Sequence, residues 1–266
     1  IVWLAKEQKL VALNASGRAG SLMTRETLQS RGFRPGSQQG IMSVTVPGAL
    51  AGWDKLLRTY GKRTLAQALQ PAIGYAQDGF PVSPIIAAQW ANETKFLQRD
   101  SAAAATFLPG GHAPKAGEWF RNPDLARTLQ EISEKGIGTF YGGALGQRIV
   151  ARISALGGFI TLDDLKKNAP TWVTPISVPF RGYRVWELPP NNQGIAALEM
   201  LRILEPYDLK SMGQNSATYL HYLIEAKKLA YADLDRFVGD ADHLDMPAEQ
   251  LLTDEFIAER RSHLNA

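Results

Sequence analysis

Two short apolar runs, IVWLA and KLVAL, open the chain with the polar KEQ between them, and this spacing predicts a β-hairpin. After ALNASGRAG, the polar stretch TRETLQSRGFRPGSQQG predicts a helical turn and then a loop. In SVTVPGALAGWDKLLRTYG alternation gives way to helical spacing: Leu50, Trp53, Leu56 and Leu57 share one face, and Gly61 supplies the stop. TLAQALQPAIGYAQDGFPVSP places Leu65 and Leu69 four apart and then interrupts with Pro71. Proline inside a helix removes a hydrogen bond and clashes with the turn behind it. Two short helices in series are therefore expected, the second starting at Pro71. Gly79 ends that helix, and Pro81 and Pro84 block its continuation.

Residues 85–121 predict an alanine-rich helix and a Gly/Pro loop, LPGGHAPKAGEWF. From Asn122-Pro123 a helix should run to about Lys135 with Leu125, Leu129 and Ile132 inward. FYGGALGQRIVARISALGG reads as an amphipathic helix carrying Ile149, Ile153 and Leu156, closed by Gly157-Gly158. Thr161 with Asp164 three residues on makes a capping box for a short helix. TPISVPFRGYRVWELPP alternates on both sides of Arg181-Gly182, as a hairpin does. PPNNQG turns into the helix IAALEMLRILE, and SATYLHYLIEAKKLAYADLDRF makes a long helix with Leu220, Leu223, Ala226, Leu229 and Ala230 inward. Thr253 caps a last helix, DEFIAERRSHL. Strands near the start and around 173–188, with a helical middle, give an α+β layered fold. With no internal repeat, low-complexity tract or linker in view, a single domain over 1–266 is expected.

Composition acts mainly by exclusion. The net charge is +3 and the basic residues are scattered, with no Lys/Arg block and no basic stripe interleaved with aromatics, so nucleic-acid binding is not indicated. Cysteine is absent, which removes disulfides, thiolate nucleophiles and Cys-based metal sites and fits a cytosolic or an exported protein alike. His112, His221, His243 and His263 are far apart and form no metal-binding pattern, so no metal is expected. No apolar run reaches the ~18 residues that a membrane span needs. The chain begins without an initiator Met or a signal peptide and reads as a piece of something longer.

Chemistry-bearing motifs are sparse. There is no GxSxG elbow, P-loop or Rossmann fingerprint. Ser16 precedes Gly17, but a serine in a turn more often bonds the backbone than attacks a substrate. Asp163-Asp164 and the group Asp233, Asp235, Asp240, Asp242 and Asp245 lack the spacing of a calcium loop and read as a solvated helix end and turns. His221 reads as a core or boundary side chain, and Tyr222 and Tyr231 as packing. The residues taken one by one describe a soluble α+β domain of unassigned activity.

The ordered set of segments says more. VPGALAGWDKLLRTYGKRTLAQALQPAIGYAQDGFPVSP resembles the large subunit of γ-glutamyltransferases (γ-glutamyltranspeptidases). The likeness continues in family order through FYGG, GGFITLDDL, TPISVPFRGYRVWELPP, the PP…G turn into ALEMLRILE, EAKKLAYADLDRFVGD and MPAEQLLTDEFIAERR, over about residues 12–261. The resemblance implies an N-terminal-nucleophile hydrolase fold, here the helix-rich large-subunit part of an αββα sandwich, with the helices of roughly 50–160 outside the sheets. It also implies a precursor that cuts itself. The new N-terminal threonine of a small subunit then attacks a γ-glutamyl amide such as glutathione, its own α-amine serving as base.

That nucleophile has no counterpart here. SHLNA falls where the family's linker to the cleavage site would start, and IVWLA after its glycine-rich first segment. The resemblance therefore implies a large-subunit fragment with no catalytic residue of its own, no cofactor, and a small subunit as partner. Compartment stays open: relatives are often exported, and a cytoplasmic location fits the sequence too.

Family members carry an arginine in a loop pattern like L-D-x-R-E-x-A-P, where it pairs with the α-carboxylate of the glutamyl group; a planar fork suits that role. Aligned without gaps, Leu13-Asn14 match L-D, Ser16 takes the arginine position, Gly17 the glutamate and Gly20 the proline, which leaves Arg18 two positions late. Arg18 and Ser16 are the substrate-pocket candidates, and two readings of Arg18 remain: a turn or solvent residue, or a contact to an acidic group of the acyl part. Serine in place of the arginine removes a charge-assisted pair of about 1.5–3 kcal/mol, enough to shift acyl preference. An acylase of non-glutamyl amides, such as β-lactam side chains, is thus an alternative, and an inactive binding homologue is another. Leu234 in ADLDRF is a second departure, standing where relatives often carry arginine.

Overall fold

The computed structural model describes residues 1–33, 40–244 and 246–264. Most of the loop expected after the turn at 25–30, and Asp245 of the aspartate group, lie outside the described residues. Two compact units emerge, one from Ala15–Pro170 and one from Ile1–Asn14 together with the chain from Thr171 on.

In the second of these, Val2–Leu4 and Lys9–Asn14 form the expected antiparallel hairpin, with Trp3 opposite Leu10. Lys9–Asn14 also pairs with Thr171–Val173, Leu13 opposite Trp172, and so becomes the central strand of three. Its Val11 and Ala12 are buried. At its end Asn14 Nδ2 donates to Asn191 Oδ1 at 3.0 Å. Ile176–Phe180 and Tyr183–Glu187 form the second hairpin, Val178 opposite Val185. Both of its turn residues, Arg181 and Gly182, have positive φ, which matches the twist of a two-residue connection.

The apolar face of that hairpin, Ile176, Val178 and Val185, packs with Ile195 and Leu198 of helix Gly194–Leu204 and with Leu251. Helix Ala217–Phe237 lies against Gly194–Leu204, and its Ala226 and Ala230 are completely buried. Side chains that small let two helices approach closely. Helix Asp254–Ser262, capped by the Thr253 hydroxyl as the sequence predicts, adds Ile257 to a cluster with Ile203, Leu204 and Ala226. Leu234, at the position where arginine is frequent among relatives, joins the apolar cluster around Leu198.

In the unit Ala15–Pro170, helices Ala49–Tyr60, Leu65–Asp78, Pro123–Lys135 and Ala144–Ala155 surround a core that includes Val46, Leu50, Leu69, Ile73, Ile132 and Leu145. Phe80–Pro81 pairs with Trp119–Phe120, and Val82, Ala87 and Phe120 form a satellite cluster with Trp90 packed against it.

Several expectations need correction. Pro71 does not divide two helices: Leu65–Asp78 is continuous across it. Leu65, Leu69, Ile73 and Ala76 make one inward row spanning the proline, and that row is held by the core shared with Leu129 and Ile132. Pro71 and Gln67, whose carbonyl loses its partner, are both exposed, so water can take the orphaned oxygen. Between 84 and 107 one alanine-rich helix becomes three, Pro84–Asn92, Thr94–Leu97 and Ser101–Phe107, the last started by Asp100 accepting from Ala103 N–H at 2.8 Å. Phe140 and Tyr141 close a separate turn of helix, Gly138–Tyr141, and Gly142-Gly143 join it to Ala144–Ala155. Trp53, Leu125, Leu156 and Leu220 are exposed rather than inward. In the helices of Trp53 and Leu125 the buried arc is narrower than the apolar stripe, closing on smaller neighbours such as Ala51 and Ala126.

Candidate functional site

ALNASGRAG begins in the strand Lys9–Asn14, and its remaining residues, 15–20, are irregular and belong to the unit Ala15–Pro170. Main chain rests directly on main chain there. A Cβ built on Gly17 would lie 1.5 Å from the Val46 carbonyl oxygen, and one on Gly48 would lie 2.0 Å from the Ala15 carbonyl oxygen. No side chain fits in that seam, so glycine at both positions is a steric requirement. Val46, itself buried, donates its N–H to the Arg18 carbonyl at 2.9 Å.

The surface under the loop is fixed in turn by Tyr141. Its hydroxyl donates to the Pro47 carbonyl at 2.7 Å and accepts from Ala51 N–H at 3.0 Å. Gly48, at the start of helix Ala49–Tyr60, offers no capping side chain, so this distant phenol supplies the cap. Burial raises the Tyr141 phenol above its usual value, and it is neutral at physiological pH.

On this fixed backbone the side chains of Ser16 and Arg18 stand exposed, two residues apart on one loop. Ser16 offers a hydroxyl that can donate and accept, and Arg18 a guanidinium, the group types that bind polar and anionic ligands.

The other residues singled out by sequence are scattered. His221 is exposed on helix Ala217–Phe237 rather than in a core or boundary place. Tyr222 packs on Tyr207, ring centroids 4.7 Å apart, whereas Tyr231 is exposed. Asp163 is exposed beside Lys166, and Asp240 accepts from Asp242 N–H at a short helical turn. Among the described residues no three His, Asp or Glu side chains converge as a metal site would require.

Asp233 is the exception and a correction. It is not part of a solvated helix end but 3% exposed, gripped by Arg260 through Nε to Oδ2 at 2.5 Å and Nη2 to Oδ1 at 2.7 Å. Glu199, 1% exposed, completes a buried triad across three helices. Burial above all, and then the hydrogen bond to Asp233 and its charge, push the Glu199 carboxyl up to about 9 against a weaker opposing pull from Arg260. Glu199 is therefore protonated at neutral pH and donates to the Asp233 carboxylate. The bond with Asp233 in turn holds Arg260 above its usual value. A signal for Glu199 exists in the sequence: it sits four residues from both Ile195 and Ile203, in the middle of an apolar stripe.

Comparison with known proteins places this geometry in context. A family model described as gamma-glutamyltranspeptidase matches residues 1–266. A glutathione hydrolase-like YwrD proenzyme of Bacillus subtilis is 39% identical over 254 residues, 94% of this chain and 48% of that protein. An oxamate amidohydrolase proenzyme of Klebsiella pneumoniae is 36% identical over 250 residues, 92% of this chain and 47% of that protein. The crystal structure of a cephalosporin acylase from Bacillus halodurans superposes with a TM-score of 0.89 at 39% identity, covering 97% of this chain and 49% of that one. The chain thus spans about half the length of the relatives it matches.

Proposed function

Because the chain belongs to the gamma-glutamyltranspeptidase family, with its helix-rich α+β N-terminal-nucleophile hydrolase fold, we infer that it is the large-subunit part of a self-processing enzyme that cleaves or transfers acyl groups from amides. The nucleophile in this reading is the N-terminal threonine of a small subunit, the partner of this chain. Its hydroxyl attacks the amide carbonyl while its own α-amine takes the proton. The carbon–nitrogen bond then breaks, the leaving amine carries that proton away, and an acyl ester remains on the threonine. Water or an acceptor amine attacks the ester, frees the acid or a new amide, and restores the hydroxyl.

This chain contributes recognition of the acyl end. The seam at Gly17 carries the reading, because it fixes the backbone from which Ser16 and Arg18 project. γ-Glutamyl amides such as glutathione are the first substrate class, with Arg18 facing an acidic group of the acyl part. A second reading, an acylase of non-glutamyl amides, is favoured by Ser16 at the aligned arginine position and by likeness to proteins named oxamate amidohydrolase and cephalosporin acylase.

The full-length protein tests both. Purified precursor should resolve into two bands, and one that stays uncut would leave only an inactive binding homologue. γ-Glutamyl-p-nitroanilide is then compared with glutaryl-p-nitroanilide, which keeps the terminal carboxylate but lacks the α-amino group. Equal or faster turnover of the glutaryl amide selects the second reading. Arg18→Ala should raise KM for the preferred amide about tenfold, as expected for a lost charge-assisted bond, with kcat little changed. An unchanged KM removes Arg18 from the binding site.

A further inference from the structure

The loop bearing Ser16 and Arg18 is secured at its far end as well. A Cβ on Gly20 would lie 2.3 Å from the Phe159 carbonyl oxygen, so the chain runs close against that backbone. The next residue, Ser21, donates both its N–H and its hydroxyl to Asp164 Oδ2, each at 3.1 Å. The same oxygen accepts the N–H and the hydroxyl of Thr161, each at 2.8 Å, in the capping box of helix Leu162–Lys167. A capping box needs only the Thr161 side of this arrangement. The two bonds from Ser21 join a helix cap to the substrate loop, and four donors converge on one charged oxygen. Burial pushes the Asp164 carboxyl up, but the bonds from Thr161 and Ser21 outweigh it and hold the group below its usual range.

We propose that Asp164 is a positioning residue for acyl recognition: with the Val46 bond at Arg18, it pins the loop on both sides of Ala19 and so fixes the reach of the Arg18 side chain. The proposal rests on the reading that Ser16 and Arg18 contact the acyl group. A loop released from Asp164 has to be ordered when substrate binds, which weakens binding and leaves the bond-breaking step untouched.

Four variants of the full-length, self-processed protein test it, with Arg18→Ala as the reference. Asp164→Ala should raise KM about tenfold and Ser21→Ala about threefold, both with kcat within about twofold of the parent. Asp164→Asn keeps an accepting oxygen and should bring KM back to within about threefold of the parent. Thr161→Ala breaks the capping box but spares the Ser21 bonds; it should lower the melting temperature with KM within about twofold of the parent. If Ser21→Ala and Thr161→Ala both lose melting temperature and neither moves KM, Asp164 is structural only and the proposal is overturned. If Arg18→Ala raises KM while Asp164→Ala and Ser21→Ala do not, the clamp fails and the acyl-contact reading stands. If Arg18→Ala leaves KM unchanged, that reading fails and takes the proposal with it. Should Asp164→Ala not fold, Ser21→Ala alone decides between these outcomes.

Discussion

A methyl group at residue 17 has nowhere to go. Gly17→Ala would set a carbon 1.5 Å from the Val46 oxygen, so the loop must lift from its seat. We expect a loss of about 1–3 kcal/mol in thermal unfolding, as for overpacked sites, together with a raised KM for the acyl amide. Gly74 provides the contrast: it lies within helix Leu65–Asp78 and a Cβ there meets nothing within 4 Å. Gly74→Ala should stabilise by about 0.5–1 kcal/mol in the same assay. Neither fate is readable from the sequence, where ALNASGRAG looks merely small and pliable. What makes Gly17 indispensable is the carbonyl of Val46, brought there by folding. Glu199 is the opposite case, because a place in the middle of an apolar stripe is by itself a sign of burial. Its partners carry the same sign, Asp233 four residues from both Leu229 and Phe237 and Arg260 four from both Phe256 and Leu264; what the sequence hides is that the three meet, since each lies on a different helix.

At the scale of elements, patterns confined to one segment were legible and those needing a partner were not. The 3.6-residue period and the caps gave helices 49–60, 123–135, 217–237 and 254–262, and Thr161 and Thr253 are the caps expected. The break expected at Pro71 failed because proline's cost of about 3 kcal/mol in a helix interior is local, whereas the buried row of Leu69, Ile73 and Ala76 is shared with another helix. The third strand, Thr171–Val173, was invisible because it pairs with a segment at the far end of the chain. Tyr141 is an element-scale device of the same non-local kind, starting one helix from another. Tyr141→Phe would orphan Ala51 N–H and the Pro47 carbonyl together. We expect it to cost about 1–3 kcal/mol in urea unfolding, well above what the loss of a surface hydroxyl would cost.

For the whole molecule, family and fold were legible in the order of the segments, whereas acyl preference was not: in the proposed function it rests on a two-residue offset between Ser16 and Arg18. Stability against pH is also a property of the whole. Glu199 keeps its proton to about 9 when folded but releases it near its ordinary 4.5 when unfolded. Folded protein thus binds more protons between those values, so this contribution is full below about pH 4.5 and is lost as pH rises toward 9. Melting curves at pH 5, 7 and 8.5 should show the decline. Glu199→Gln, which keeps a donor toward Asp233 but cannot ionise, should flatten it. The backbone seam at Gly17 and Gly48 has its own consequence for how such a protein changes over generations. Main-chain atoms make that joint, so the fit at Gly17 and Gly48 is set by the backbone and not by a choice of side chain. Under the proposed function, exchange at positions 16 and 18 would alter acyl preference while the seam that carries them stays as it is.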